Sequence, residues 1–99
     1  MRLVWSVRAL RELRDQRQYI ARTQPDAATQ IATHIVAATD RLSTYPHYGC
    51  AASWDETGQL RELPVAWTPF VVLYTIDEDA ETILIVRVLH GAMDIPAHF

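Results

Sequence analysis

Two apolar runs in the second half of the chain, FVVLYTI at 70–76 and TILIVRVLH at 82–90, constrain its fold more than any other feature. Each run has the length of a strand, and its Val, Ile and Leu content is typical of strands that are covered on both faces. Only the short acidic segment 77–81 separates the two runs. They therefore predict two neighbouring antiparallel strands.

A third segment, LRELPVAW at 60–67, precedes these two runs and is joined to them through Thr68 and Pro69. Its apolar residues alternate, which is typical of a strand with one buried face. The alternation places on that face Leu63, Val65 and Trp67. Because both connections are short, the three segments predict an antiparallel β-meander.

The first half of the chain predicts a strand and two helices. The apolar residues 2–5 predict the strand, and Ser6 stands where a hydroxyl can cap the helix that follows. That helix is expected to run to about Thr23, with an apolar stripe interrupted by Arg17 and formed by Val7, Leu10, Leu13 and Ile20. Pro25 starts a second helix that ends near Ser43, and its core face is expected to hold Ala27, Ile31, Ile35, Ala38 and Leu42.

The predicted fold class is α+β, with an N-terminal strand and a helical hairpin packed on the antiparallel meander. A chain of 99 residues is expected to form one domain, residues 1–99. The segment 45–58 shows no period and is expected to be a long loop, and residues 92–99 are expected to be a tail.

The charges are unevenly distributed. Residues 1–22 carry six Arg against two acids, whereas residues 23–99 carry three Arg against ten acids, and the chain has no Lys. The basic block lies on the first predicted helix, where its exposed face holds Arg8, Arg11 and Arg14. Since the remainder would repel phosphate, we expect no direct sequence-specific binding of nucleic acid. One cysteine, Cys50, and no apolar run of about 20 residues favour a cytoplasmic protein without a membrane segment.

The apolar strands predict more buried sheet than one helical hairpin covers, because a sheet has two faces. The hairpin and the 45–58 loop together could cover both faces, or a homodimer could. Otherwise an apolar surface stays open for a partner chain, which would add a strand or an amphipathic helix.

Arg87 lies inside the most apolar run. Alternation groups it with Ile83, Ile85 and Leu89, and a buried guanidinium needs a partner. That partner could be Glu62, or Arg87 could be a functional residue on an open concave face. His90, beside Gly91, is either a local hydrogen-bonding group or a candidate acid or base with Asp94 as a possible neighbour. No histidine has the spacing of a metal site, and no cofactor motif is present, so we expect neither metal nor cofactor.

Three strings, RELPV at 61–65, PFVVLY at 69–74 and RVLHGAMD at 87–94, occur in an order and spacing that resemble the RelE/ParE superfamily. These proteins are the toxins of bacterial type II toxin–antitoxin modules. The resemblance covers nearly all of residues 1–94 and implies an antiparallel sheet that cradles an N-terminal helical hairpin, in agreement with the pattern above.

The resemblance implies one of two activities. RelE-like members cleave mRNA in the ribosome with basic residues on the sheet and a C-terminal aromatic residue or His, and ParE-like members poison DNA gyrase. This chain is closer to ParE, since Val71 replaces a basic residue and the turn at 89–92 lacks Lys and Arg. The candidates for a nuclease site are Arg61, Arg87 and His90. Met93 replaces an Arg that is common in the family, which puts the potency of the toxin in doubt.

The resemblance thus implies a ParE-like, plasmid-stabilising toxin that inhibits gyrase and is neutralised by a cognate antitoxin, in a heterotetramer. A RelE-like endoribonuclease and a degenerate toxin that only binds antitoxin are the alternatives. The residues expected to bind a partner are Arg61, Trp67, Phe70, Arg87 and His90, together with the helix face formed by Arg8, Arg11 and Arg14. That helix face could equally be a solvated surface.

Overall fold

A five-stranded mixed sheet organises the protein, and the computed structural model describes all residues from 1 to 99. Along the chain the elements are β1 Arg2–Trp5, α1 Val7–Ala21, α2 Pro25–Leu42, β2 Cys50–Ala51, β3 Arg61–Pro64, β4 Phe70–Asp77, β5 Thr82–His90 and α3 Ile95–His98. The spatial order of the strands is β1-β5-β4-β3-β2, in which β1 runs parallel to β5 and all other neighbours are antiparallel. The predicted α+β class and the β3–β4–β5 meander are therefore confirmed.

The helical hairpin begins and ends close to the predicted residues. The Ser6 hydroxyl accepts a hydrogen bond from the Ala9 N–H at 3.0 Å, as expected for an N-cap, and Pro25 occupies the first turn of α2. The hairpin covers one face of the sheet, called here the helix face. The main core cluster lies between them and consists of Ala9, Ile35, Leu42, Leu63, Val65, Phe70, Val72, Tyr74, Ile83, Ile85 and Val88.

The predicted apolar stripe of α1 is wrong at its N-terminal end. Val7 and Leu10 are exposed, whereas Ala9 is fully buried and Leu13 packs against the core. The Ser6 hydroxyl donates to the Val86 carbonyl oxygen at 2.9 Å, which ties the start of α1 to β5. This tertiary bond fixes the rotation of the helix, and it leaves two apolar side chains facing solvent.

A β-bulge in β5 changes which residues share a face. Tyr74 pairs with Ile85 and Leu73 pairs with Arg87, so Val86 has no partner on β4. An extra residue reverses the alternation beyond it. Ile83 and Ile85 therefore lie in the main cluster, while Leu89 lies on the opposite face in a second cluster. The predicted grouping of Arg87 and Leu89 with Ile83 and Ile85 is wrong.

Three segments with weak sequence patterns have more structure than predicted. The 45–58 loop contains the short edge strand β2, and the 92–99 tail contains the helix α3. The segment 60–67 forms a strand only from Arg61 to Pro64. The chain turns before Trp67, whose φ is 69°, so Trp67 leaves the face that Leu63 and Val65 share.

The second face of the sheet is covered by the chain itself at the end that holds Leu73 and Leu89. Its cluster consists of Leu73, Leu89 and Ile95, with Trp54 and Val71 packed against it. The Phe99 ring lies 5.6 Å from the Trp54 ring, centroid to centroid. The alternative of an open apolar sheet surface is therefore wrong at this end of the face, where α3 and the loop residue Trp54 provide the cover, whereas Leu84 on the same face stays 37% exposed.

Candidate functional site

Arg87 forms a buried ion pair with Glu12 of α1. Its Nε and Nη2 atoms donate to Glu12 Oε2 at 2.9 and 2.8 Å, and its Nη1 donates to the His98 carbonyl oxygen at 2.9 Å. The Val88 N–H donates to Glu12 Oε1 at 3.0 Å. Arg87 is only 6% exposed, so both charges are satisfied internally.

Arg87 is in a satisfied ion pair, as one of the two alternatives expected, but its partner is Glu12 and not Glu62, and the alternative of an open concave face is wrong. Glu62, the predicted partner, instead accepts a hydrogen bond from the Trp54 indole N–H. β1 pairs with β5 only from Thr82 to Ile85, which leaves the edge of β5 unpaired beyond that point. Glu12 reaches this edge from α1 and occupies it, so Arg87 lies at a closed junction of α1, β5 and α3 instead of an open concave face.

Arg61 holds the loop that precedes β2. Its Nε donates to Tyr74 Oη at 3.3 Å, and its Nη2 donates to the carbonyl oxygens of His47, at 3.2 Å, and Gly49. Tyr74 Oη also donates to the Pro46 carbonyl and accepts from the Gly49 N–H at 3.0 Å. A Cβ atom on Gly49 would lie 2.6 Å from a backbone oxygen of β3, so this close approach requires glycine.

His90 and Phe70 face each other at the far end of the β4–β5 pair. Their ring centroids lie 5.6 Å apart in an edge arrangement, and Phe70 is only 2% exposed. His90 Nδ1 accepts a hydrogen bond from the Ala92 N–H at 3.1 Å. His90 forms no hydrogen bond with Asp94, the neighbour suggested by the sequence, since Asp94 precedes α3 and its carbonyl accepts from that helix.

The three candidate nuclease residues do not converge. Arg61 lies opposite Tyr74, and His90 lies opposite Phe70, four residues away on β4. That spacing corresponds to roughly 13 Å along the strand, and the two residues are also two strands apart, about 10 Å. Arg87 lies between them in register but directs its guanidinium to Glu12.

The remaining predicted partner-binding residues are at the surface. Trp67 is 87% exposed, the largest exposed fraction of any large apolar side chain in the molecule. Arg8, Arg11 and Arg14 are all exposed on α1, and Arg14 pairs with the neighbouring Asp15 at 3.2 Å. These side chains are free to meet a partner, and their role in binding stays a prediction.

A groove between α1 and α2 is a surface that the sequence pattern did not reveal. Its volume is about 560 Å³, and its lining includes Leu10, Leu13, Arg14, Arg17, Ala28 and Val36. It exists because Leu10 lies outside the core. The sequence carried one signal for this groove, because Val7 and Leu10 are more apolar than the exposed surface of a helix requires.

The structure also bears on metal binding and on membrane spans. No three His, Cys, Asp or Glu side chains lie close enough together to hold a metal ion. None of the helices has the length and apolar character needed to cross a bilayer.

The chain is similar in sequence to two bacterial toxins along almost its whole length. It is 36% identical to the putative toxin Y4kP of Sinorhizobium fredii over 95 residues, which are 96% of this chain and 93% of that protein. It is 38% identical to the toxin RelE2 of Caulobacter vibrioides over 90 residues, which are 91% of this chain and 94% of that protein.

The fold matches solved structures from two toxin–antitoxin systems. The chromosomal ParDE system of P. aeruginosa matches with a TM-score of 0.77 and 21% identity, over 91% of this chain and 95% of that chain. The toxin–antitoxin complex RelBE2 of Mycobacterium tuberculosis matches with a TM-score of 0.64 and 21% identity, over 90% and 95% of the two chains. The family described as the ParE toxin of the type II toxin–antitoxin system parDE matches residues 3–95. The chain therefore belongs to the ParE toxin family, within the RelE/ParE superfamily of type II toxins.

Proposed function

We propose that this toxin acts in the cytoplasm by binding and inhibiting DNA gyrase, as a ParE-like poison without nuclease activity of its own. The observation that carries the proposal is the separation of Arg61, Arg87 and His90, each of which is engaged in internal contacts. Cleavage of RNA without a metal needs groups that activate the 2′-hydroxyl, stabilise the phosphorane and protonate the leaving oxygen at one place. Groups held this far apart do not meet that need.

A cognate antitoxin is the second part of the proposal. Both structural neighbours belong to systems in which a toxin is paired with an antitoxin. The exposed arginines of α1 and the exposed Trp67 supply charge and apolar area for such a partner. We expect a heterotetramer of toxin and antitoxin, and a role in plasmid stabilisation where the pair is plasmid-borne.

The test is supercoiling of relaxed plasmid by purified gyrase with increasing amounts of this protein. We expect inhibition and gyrase-dependent DNA breaks, and we expect both to disappear when the toxin is first mixed with its antitoxin. A matched control is the Ala80→Glu variant, which changes one exposed turn residue and is expected to inhibit like the wild type. Unchanged supercoiling without breaks would contradict the proposed target.

Ribosome-dependent cleavage of mRNA is the second candidate, favoured by the similarity to a protein named RelE2. It predicts transcript cleavage during translation in vitro, lost in His90→Ala. In cells, gyrase poisoning should give SOS induction and filamentation, whereas cleavage should stop translation abruptly. If overproduction of the chain causes neither effect, the chain is a degenerate toxin. Met93, which replaces an Arg common in the family, is the residue that suggests this outcome.

A further inference from the structure

Charge is absent from one end of the sheet and concentrated at the other. The β3–β4 turn and the residues that follow β5 lie at the first end, and no Asp, Glu, Lys or Arg occurs in the segments 63–76 and 88–93. At the opposite end, four of the five residues 77–81 in the β4–β5 turn are acidic, and all are exposed. The length of β4 separates the two ends by roughly 25 Å. The molecule is therefore polarised along its strands.

The two uncharged turns lie side by side and form one surface. The Gly91 N–H donates to the Pro69 carbonyl oxygen at 2.7 Å, which holds the end of β5 against the β3–β4 turn. A Cβ atom on Gly91 would lie 3.3 Å from the same oxygen, so a side chain would crowd this contact. We call this region the sheet-end surface, and its exposed residues are Ala66, Trp67, Pro69, Gly91, Ala92 and Met93.

The backbone donors of the sheet-end surface are largely paired within the protein. Pro69 has no N–H, and the Gly91 N–H is used in the bond to Pro69. The N–H groups of Ala92 and Met93 both donate to His90 at 3.1 Å, the first to Nδ1 and the second to the carbonyl oxygen. Because these donors already have acceptors, a partner can exclude water from this surface without leaving them unpaired.

Trp67 projects from this surface in a strained but well-held conformation. Its φ of 69° lies in the left-handed region, which is disfavoured for a bulky residue, and its side chain is 87% exposed. The Thr68 hydroxyl fixes the turn, since it donates to the Val65 carbonyl at 2.9 Å and accepts from the Phe70 N–H at 3.1 Å. Met93, on the neighbouring turn, adds a flexible apolar side chain. A rigid tryptophan beside an adaptable methionine is typical of a protein-binding surface.

We propose that the sheet-end surface binds an apolar cleft of DNA gyrase, so that the acidic β4–β5 turn points away from the DNA that the enzyme holds. The inference rests on the proposed function and adds which surface meets the target and how the toxin is oriented on it. DNA phosphates repel the four acids of the β4–β5 turn, which disfavours an approach through that end. The uncharged end meets no such repulsion. It also lacks the Arg and Lys that would bind DNA directly, so a protein cleft is the favoured ligand.

Trp67 also supplies apolar area for the proposed antitoxin, so an antitoxin that covers this side chain would exclude gyrase from it. Ala92 lies on the other turn of the sheet-end surface and has no assigned role in antitoxin binding. A change at Ala92 therefore tests the contact with gyrase by itself.

The first test measures the concentration of full-length toxin that halves supercoiling by purified gyrase. Ala92→Glu places a carboxylate in the sheet-end surface, and we expect that concentration to rise at least about 30-fold. Ala80→Glu adds the same charge to the acidic turn at the opposite end, and we expect a value within about twofold of the wild type. Circular dichroism should show both variants folded, because both positions are exposed.

The second test separates target binding from stability at Trp67. Trp67→Gly removes the exposed indole and relieves the strain of the positive φ, so we expect the half-inhibiting concentration to rise at least about 30-fold. The melting temperature of the free toxin should be no lower than that of the wild type, because the indole is exposed and glycine adopts this φ without strain. If Trp67 had a merely structural role, inhibition and melting temperature would fall together.

The outcomes distinguish this inference from the proposed function. If the wild type inhibits gyrase and Ala92→Glu and Trp67→Gly inhibit equally well, gyrase binds elsewhere and only this inference fails. If the wild type does not inhibit gyrase at all, the proposed function fails together with it. If Ala92→Glu leaves inhibition unchanged but weakens binding to the product of the short reading frame next to the gene, the surface serves that protein and the inference is overturned. A free toxin that sediments as a dimer, and as a monomer in Trp67→Gly, would overturn it as well.

Discussion

The two faces of the sheet are covered to different extents. The helix face is covered by α1 and α2, 15 and 18 residues long, over a cluster of 11 buried residues. The second face is covered by Trp54 and the four-residue helix α3, over a cluster of three. The comparison shows that a short chain can hide two apolar faces unequally, with a large core on one side and a thin cover on the other.

The ion pair of Arg87 and Glu12 joins the two sides. Glu12 comes from the helix that closes one face, and Arg87 also donates to the backbone of the tail that closes the other. We therefore expect substitutions on the two faces to change the stability of the protein by different amounts.

Glu12→Ala should have the largest effect. It leaves the Arg87 guanidinium buried without its carboxylate and the Val88 N–H unpaired, and we expect the free energy of unfolding to fall by about 3–5 kcal/mol. Urea unfolding measures this fall in the free energy of unfolding. Asp15→Ala is the control, because its pair with Arg14 is exposed, and should change stability by about 0.5 kcal/mol or less. A loss for Glu12→Ala as small as that of the control would show that the junction is unimportant.

Matched Leu→Ala changes compare the two clusters directly. Leu42, at the end of α2, is fully buried between the hairpin and the sheet, and we expect Leu42→Ala to cost about 4 kcal/mol. Leu89 lies under the thinner cover, which can shift to fill part of the cavity, so we expect Leu89→Ala to cost about 2 kcal/mol. Both values come from chemical denaturation. Equal losses would mean that the second face is packed as firmly as the first.

Ile95→Ala should loosen the second face with a smaller effect on global stability, about 1 kcal/mol, because α3 is short and can adjust. We expect faster amide exchange in the tail and greater binding of a hydrophobic dye. His98→Ala is the control, since its contribution to Arg87 is made by the backbone carbonyl. If exchange stays unchanged in Ile95→Ala, α3 does not hold the cover closed.

The smallest effect should be a dependence on pH in the loop that carries Trp54. Hydrogen bonds from the Leu60 N–H and the Thr57 hydroxyl lower the pKa of Asp55 below its ordinary value of 3.8. Since the folded pKa is the lower one, this stabilisation is complete above that value and is lost as the pH falls through the folded pKa. Protection of the Leu60 amide should therefore decrease at acidic pH. In Asp55→Asn the protection should already be low at neutral pH and should vary little.

The sequence predicted the elements with strong periodic signals. Strand β5 was predicted at its observed residues, and the α2 core positions Ile35 and Leu42 are buried as expected. Positions that depend on tertiary contacts were predicted less well. Val7 and Leu10 were assigned to the core because the pattern shows that residues are apolar and evenly spaced, and it does not show how a helix is rotated.

The sequence predicted the residue types of the candidate site better than it predicted where these residues lie. Trp67, Arg8, Arg11 and Arg14 are exposed, whereas Phe70 and Arg87 are buried, so their predicted contact with a partner would require local opening. The partner of Arg87 could not be inferred, because Glu12 lies 75 residues away and meets it only after β5 bulges and α1 crosses the sheet.

The order of apolar and polar residues determined the α+β class, the helical hairpin and the meander, because periods of 3.6 and 2 residues are local properties of the chain. Which apolar residues became surface was decided only in the folded molecule. The Ser6 bond to β5, the bulge at Val86 and the return of the tail over Leu73 each join residues distant in sequence. Those long-range contacts cover both faces of the sheet to different extents and leave Val7, Leu10 and Trp67 exposed.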